Sequence, residues 1–256
     1  MKLTRCLARL IRAVTLHGRP YTTAVILAGG SGVRMGDTGG VAKQWMPLGG
    51  RTVLEHAVFA FEACPHIDEI VVVVRRGEGQ RTAELLRDAK VKKVRAIVSG
   101  GKTRQQSAYR GARKASDKTR YIAIHDAARC LVTPEDISAA VLAAHSDKAA
   151  SLGVPVADTV KRVDNKGYIL ATQDRTELWL AATPQVFAYP MYMAAATSAR
   201  KWGTAVTDDN MLIEAIGQRV RMVDGPSAAI KITRREDLAV AEAILAARDQ
   251  EKESKK

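Results

Sequence analysis

Residues 69–75, EIVVVVR, constrain the fold more than any other stretch of this 256-residue chain. Ile70 to Val74 are all β-branched, so a strand through them has no polar side to turn to water. Such a strand is buried on both faces, as in a parallel sheet covered by helices on each side. Residues 23–28, TAVILA, read the same way and end at a glycine. Strands are also predicted at 94–98, at 121–124 running up to His125-Asp126, and at 149–156. Helices alternate with them at about 52–63, 79–89, 103–115 and 134–145. Thr52 and Glu55 make a capping box for the first, and Pro134 takes the first position of the last. This is an α/β chain with a largely parallel sheet, whose ligands belong at the carboxyl ends of the strands.

One segment breaks the alternation. Residues 159–163 and 168–172 flank a turn cluster, Asp164-Asn165-Lys166-Gly167, and read as a β-hairpin. It is either an arm that meets a second subunit or an edge hairpin of the same sheet. No internal repeat or linker is seen. The expected organisation is a basic extension at 1–20, a single domain at 21–247 with an arm at about 157–175, and a charged tail at 248–256.

Charge narrows the ligand class. The formal net charge is +13, and the extension carries five bases (Lys2, Arg5, Arg9, Arg12 and Arg19) with no acid. Leu3, Leu7, Leu10, Ile11 and Val14 give the extension one apolar helical face, so it reads either as a helix lying on the body or as a targeting segment. The body is basic as well, which suits phosphorylated ligands. Aromatics are only 5% and do not interleave with bases, which argues against nucleic acid, although the extension leaves that class as an alternative. No apolar run approaches the ~18–20 residues of a membrane span. Cys6, Cys64 and Cys130 are scattered with no CxxC pair, which favours a reducing, cytoplasmic setting over a disulfide or zinc framework.

Four stretches carry chemistry. In 28-AGGSGVRM-35, Ala28, Gly29, Gly30 and Gly32 leave backbone amides open to an anion. The loop lacks the Walker lysine and the third glycine of a dinucleotide fingerprint. It does have Arg34, with Lys43 nine residues later. Two cations bracketing a glycine loop suit a nucleoside triphosphate, where charge builds on the α-phosphate and the leaving pyrophosphate. The second stretch, 125-HDAAR-129, places Asp126 and Arg129 past a strand, with His125 read as a packed or orienting residue. The third, 100-GGKTRQQS-107, joins two glycines to a helix start and presents amides to a base or phosphate. The fourth is 230-IKITRREDL-238, where Lys231 alternates with isoleucines on an expected short strand. Each stretch also has a bland reading, as a capped turn, an ordering Asp–Arg pair or an edge lysine.

Taken in order with the helix 52-TVLEHAVFAF-61, 183-TPQVF-187 and 207-TDD-209, these stretches closely resemble the 2-C-methyl-D-erythritol 4-phosphate cytidylyltransferase family over about residues 22–246. The resemblance implies a Rossmann-like, GT-A-like nucleotide-diphospho-sugar transferase sandwich, with CTP and a sugar-alcohol phosphate as substrates and magnesium as cofactor through ligands left open. It assigns Arg34 and Lys43 to the transition state. Ala28, Gly29, Gly30 and Gly32 go to ribose and phosphates, and Gly101, Lys102 and Ser107 to the cytosine. Asp126, Arg129, Thr159 and Thr183 go to the acceptor alcohol, and Lys231 and Thr207 to its phosphate. It also implies a homodimer whose arm carries Arg175 into the partner's site. The chain departs from the family's usual pattern at Cys130 and Ala42, where proline is usual, at Lys102, where an acid is common, and in the glycine-rich 36-GDTGGVA-42. Alternatives are a ribitol 5-phosphate cytidylyltransferase and a catalytically silent nucleotide-binding protein.

Overall fold

The computed structural model describes residues 18–30, 41–226 and 230–254. The amphipathic face at residues 3–14, Gly32, Arg34 and most of the 36–42 segment lie outside the described residues.

Seven strands form one sheet in the order β11-β7-β10-β6-β1-β4-β5. They are β1 (Thr22–Leu27), β4 (Glu69–Val74), β5 (Val94–Ser99), β6 (Tyr121–Asp126), β7 (Ala149–Pro155), β10 (Trp179–Ala188) and β11 (Arg221–Asp224), while β2 (Pro47–Leu48) and β3 (Arg51–Thr52) pair with each other outside it. β1 lies parallel between β4 and β6, with Val25 opposite both Val71 and Ile124. Only β10 runs antiparallel to its neighbours, β6 and β7.

The β-branched strands are wet on neither face. Ala24, Ile26, Ile70, Val72 and Val74 pack with Leu54, Val58, Phe61, Leu86 and Ile137. These come from the helices α1 (Val53–Ala63), α2 (Gly79–Asp88) and α4 (Pro134–Asp147). On the other face Val25, Val71 and Val73 meet Ala108, Tyr192 and Leu212. Those belong to α3 (Arg104–Ala112), α5 (Tyr189–Trp202) and α6 (Asn210–Glu214). The alternation along a single strand therefore feeds two cores. A Cβ at Gly111 would collide with Val25 and Val73, so this glycine lets α3 lie close on the sheet. A third cluster joins Met46, Leu48, Val53, Cys130, Leu131 and Ile232 to α7 (Arg235–Ser254).

The caps form as the sequence predicts. Thr52 and Glu55 make both halves of the capping box. Thr133 caps α4, whose Pro134 sits at the helix start. The hairpin also forms, with β8 (Lys161–Val163) paired to β9 (Ile169–Thr172), and it stands apart from the main sheet rather than on its edge. Asp164 Oδ1 closes its turn by accepting from the N–H groups of Lys166 and Tyr168, each at 2.9 Å.

Residues 230–233 correct one expectation, because they form no strand. Their neighbours at 127–131 are turns, which offer no ladder. The segment is held by one backbone bond, Ile232 N–H to Ala128 O at 2.8 Å. The alternation itself survives, with Ile232 buried and Lys231 turned to the opposite side. β10 went unread because Pro184 lies within it, and its pairing with β7 shifts register between Ala181 and Gln185.

Candidate active site

A cleft of about 400 Å³ opens at the carboxyl ends of β1 and β6. Ala28, Gly29 and Gly30 form one wall, continuing directly from β1. Ala28 N–H still bonds Val73 O at 2.7 Å, so the sheet ladder carries the loop to the cleft edge. Lys43 approaches from a 3-10 turn at Lys43–Trp45, Gly101 and Lys102 come from the β5–α3 connection, and Ser107 comes from the first turn of α3. Asp126 and Lys231 form the floor.

The β5–α3 loop differs in detail from its sequence reading. Ser107 Oγ accepts the Gly101 N–H at 3.0 Å and donates to Thr103 O at 2.9 Å. Gln106 Oε1 accepts the Lys102 N–H at 2.9 Å. Those amides are therefore spent inside the loop rather than offered to an anion. Ser107 acts as a staple, while the Lys102 side chain still faces the cleft.

The floor is a chain of buried carboxylates and half-buried cations. Asp126 Oδ1 accepts from Arg104 Nε at 2.9 Å, and its Oδ2 accepts from Lys231 Nζ at 2.6 Å. Arg104 reaches on through Nη1 to Asp209 Oδ2 at 2.5 Å. Tyr192 Oη donates to Asp209 Oδ1 at 2.9 Å, and Gln185 Oε1 accepts the Asp209 N–H at 2.9 Å. Burial alone would raise the Asp126 pKa, but Arg104 and Lys231 more than offset it and hold the carboxyl below the usual range. Burial lowers the Arg104 pKa, and the two carboxylates reverse that, so the guanidinium stays charged. At Asp209 burial wins over Arg104 and the pKa is raised.

Behind the floor, Thr183 Oγ1 accepts the Asp126 N–H at 3.1 Å and contacts His125 Nδ1 at 3.0 Å. His125 is fully buried against the Phe61 ring at 4.8 Å, and burial holds its imidazole down to about 3. It is a neutral packed residue, one of the two roles its sequence setting allowed.

The structure thus gathers Ala28, Gly29, Gly30, Lys43, Gly101, Lys102, Ser107, Asp126 and Lys231 around one cleft. Thr183 sits behind it as a support for Asp126. Arg129 turns towards β10, where Nη2 donates to Ala181 O at 3.2 Å. Thr159, Arg175 and Thr207 do not line the cleft of this chain. Arg175 donates to Ala157 O, and Thr207 Oγ1 donates to Met211 Sδ at 3.2 Å. Arg34 and Gly32 lie outside the described residues. The residues not singled out from sequence are Arg104 and Asp209. Both fell within quoted stretches, but only the fold pairs two positions 105 residues apart.

The cleft suits a triphosphate better than a metal cage. It presents Lys43, Lys102, Arg104 and Lys231 against one carboxylate, Asp126, which is already paired twice. Among the described residues no group of three metal-ligating side chains occurs, so the protein supplies no magnesium cage there. Cys130 packs beneath the cleft in the third cluster, and burial pushes its thiol up to about 12. An apolar contact therefore occupies the place of the usual proline.

Residues 22–247 match the family model for 2-C-methyl-D-erythritol 4-phosphate cytidylyltransferase. A relative of that name from Desulforamulus reducens is 43% identical over 227 residues, 88% of this chain and 96% of its own. One from Pelotomaculum thermopropionicum is 42% identical over 226 residues, 88% of this chain and 94% of its own. Among solved structures, the 4-diphosphocytidyl-2C-methyl-D-erythritol synthase of Anaerococcus prevotii superposes with a TM-score of 0.78 at 29% identity. That match covers 88% of this chain and 96% of the other.

Proposed function

The chain belongs to the 2-C-methyl-D-erythritol 4-phosphate cytidylyltransferase family, and on that premise we propose how its residues divide the work. The reaction joins CTP and 2-C-methyl-D-erythritol 4-phosphate and releases pyrophosphate, a step of non-mevalonate isoprenoid synthesis. The acceptor's phosphate oxygen attacks the α-phosphorus in line. One P–O bond forms as the bond to the β-phosphate breaks, so no covalent enzyme intermediate is needed.

Ala28, Gly29 and Gly30, continued by Gly32, lie along the ribose and phosphates. Lys102, Gly101 and Ser107 bound the base. Lys43 and Arg34 neutralise the charge that builds at the α-phosphorus and the leaving group. Asp126 accepts from acceptor hydroxyls, and Lys231 takes the acceptor phosphate. Lys231 is held 2.6 Å from Asp126, and an incoming phosphate dianion competes for that ammonium. Asp126, the carboxylate among the described cleft-lining residues, is the group that could hold a magnesium ion, which would offset charge on the triphosphate. The observation that carries this assignment is the four-cation cleft around a twice-paired Asp126.

We further propose that residues 21–247 act as one catalytic domain and that the protein is a homodimer joined by the arm. Tyr168, Ile169 and Leu170 are exposed there by 70%, 63% and 56%, a patch that needs a partner surface. Arg175 and Thr159 then complete the partner's cleft, with Arg129 close to it. Cys64 and Cys130 are free and buried, which suits a cytoplasmic enzyme.

Pyrophosphate release from CTP tests the assignment. Methylerythritol phosphate should support turnover, and ribitol 5-phosphate should not. Lys43→Ala should lower kcat by ~10²-fold or more with little change in CTP binding. Turnover with ribitol 5-phosphate alone, or an unimpaired Lys43→Ala variant, overturns it.

A further inference from the structure

Two walls of the cleft are tied to one loop outside it. Gly30 and Lys43 both line the cleft, and the loop that follows β4, residues 75–78, reaches both of their segments. The Arg75 guanidinium donates to Gly30 O through Nε at 3.0 Å and Nη2 at 2.5 Å. Three residues on, the Glu78 carboxylate accepts from Gln44 Nε2 at 2.9 and 2.8 Å, one contact to each oxygen. Its Oε1 also accepts from Trp45 Nε1 at 3.0 Å, and its Oε2 accepts the Arg75 N–H at 3.3 Å. The Arg81 guanidinium covers the Trp45 ring at 4.1 Å from its centroid.

Gln44, Trp45 and Lys43 make up a single 3-10 turn. Gln44 and Trp45 are almost fully buried. Hydrogen bonds to an ionised acceptor are the strong ones, and here the two residues that follow a proposed catalytic lysine bond to the same carboxylate. Two of the turn's three residues are thereby anchored, which fixes the backbone position from which the Lys43 side chain reaches the cleft. Glu78, Arg75 and Trp45 are not among the residues lining that cleft.

We propose that Glu78, with Arg75, is a positioning residue of the transfer reaction. Its carboxylate aims Lys43 at the triphosphate, while Arg75 holds the start of the glycine loop in the same frame. This rests on the assignment of Lys43 above. Misplacing a catalytic group by about 1 Å can cost on the order of 10²-fold, and the cost falls on kcat. A purely structural role makes a different forecast. Glu78 also immediately precedes α2, and its carboxylate accepts the Arg75 N–H at 3.3 Å, which orders the turn into that helix. Loss of that anchor would lower activity whether or not Lys43 is present.

A double-mutant cycle on the full chain separates the two. Glu78→Ala should lower kcat about tenfold or more and move the KM for CTP less than about threefold. In a Lys43→Ala background the same change should cost less than about twofold, because the lysine it aims is gone. Glu78→Gln keeps an acceptor oxygen and the helix start, so it should fold like the parent and lose less than Glu78→Ala. It carries the cycle if Glu78→Ala does not fold. An undiminished loss in the Lys43→Ala background, for whichever Glu78 variant folds, overturns the inference alone. A Lys43→Ala variant as fast as the parent overturns the assignment of the lysine, and the inference with it.

Discussion

At the carboxyl edge of the sheet, charged side chains are buried and matched; along the arm, apolar side chains stand in solvent. Asp126 and Asp209 are 8% and 1% exposed, and both are tied to Arg104. Tyr168, Ile169 and Leu170 sit on a two-stranded hairpin outside the main sheet. A buried ion chain is costly unless every member is paired, so the cleft floor must be complete within one chain. An isolated hairpin is marginal in water, so the arm makes physical sense only against another surface. One region is matched within this chain, and the other exposes apolar surface that the proposed dimer would cover.

The largest effect should come from breaking the floor. Arg104→Ala leaves Asp209 with Tyr192 as its side-chain partner and Asp126 with Lys231 alone. A loss of about 3–5 kcal/mol is expected, read by denaturant unfolding. Adding Asp209→Asn should recover part of it, because the stranded charge is removed. A stable Arg104→Ala variant would mean that the floor is not what holds this edge.

The arm is tested next. Arg175→Ala should lower turnover by ~10²-fold if the guanidinium serves the partner's cleft. Mixing Arg175→Ala with Lys43→Ala subunits separates trans from cis. In a mixed dimer one cleft has its own Lys43 and the partner's Arg175, so random reassociation should restore about a quarter of the sites. If Arg175 served its own cleft, every site would carry a lesion and the mixture would stay inactive.

The most gradual effect is a pH slope. His125 is neutral in the fold, with its pKa lowered by burial to about 3, against ~6.5 unfolded. Its contribution is complete above about pH 6.5 and is lost as pH falls towards about 3. His145, lowered by burial to about 4, acts in the same direction. Stability should therefore fall with acidification between about pH 6.5 and 4.5, by up to ~1.4 kcal/mol per pH unit for the fully buried His125 and by less for the half-buried, solvent-screened His145. His125→Gln should remove one of these contributions. An unchanged slope in that variant would show that His125 does not titrate in this window.

Most of the scaffold was legible because its determinants are local. Five β-branched residues in a row dictate two buried faces, and Thr52 with Glu55, or Thr133 with Pro134, dictate where helices begin. β10 was hidden by Pro184, which argues locally against a central strand although the sheet accommodates it with a register shift. Residues 230–233 keep an alternation that promises a strand, but the turns beside them offer nothing to pair with.

By itself, then, the sequence determined a parallel sheet with its glycine loop and Asp126 at the same edge, together with the order of motifs that identifies the family. Only the tertiary structure decided which charges meet. It joins Arg104 to Asp126 and Asp209, Lys231 to Asp126, and Glu78 to the turn carrying Lys43, across separations of 22 to 105 residues. Periodicity reports the face on which a residue lies. Which opposite charge waits there depends on how distant segments pack, and no local spacing encodes that.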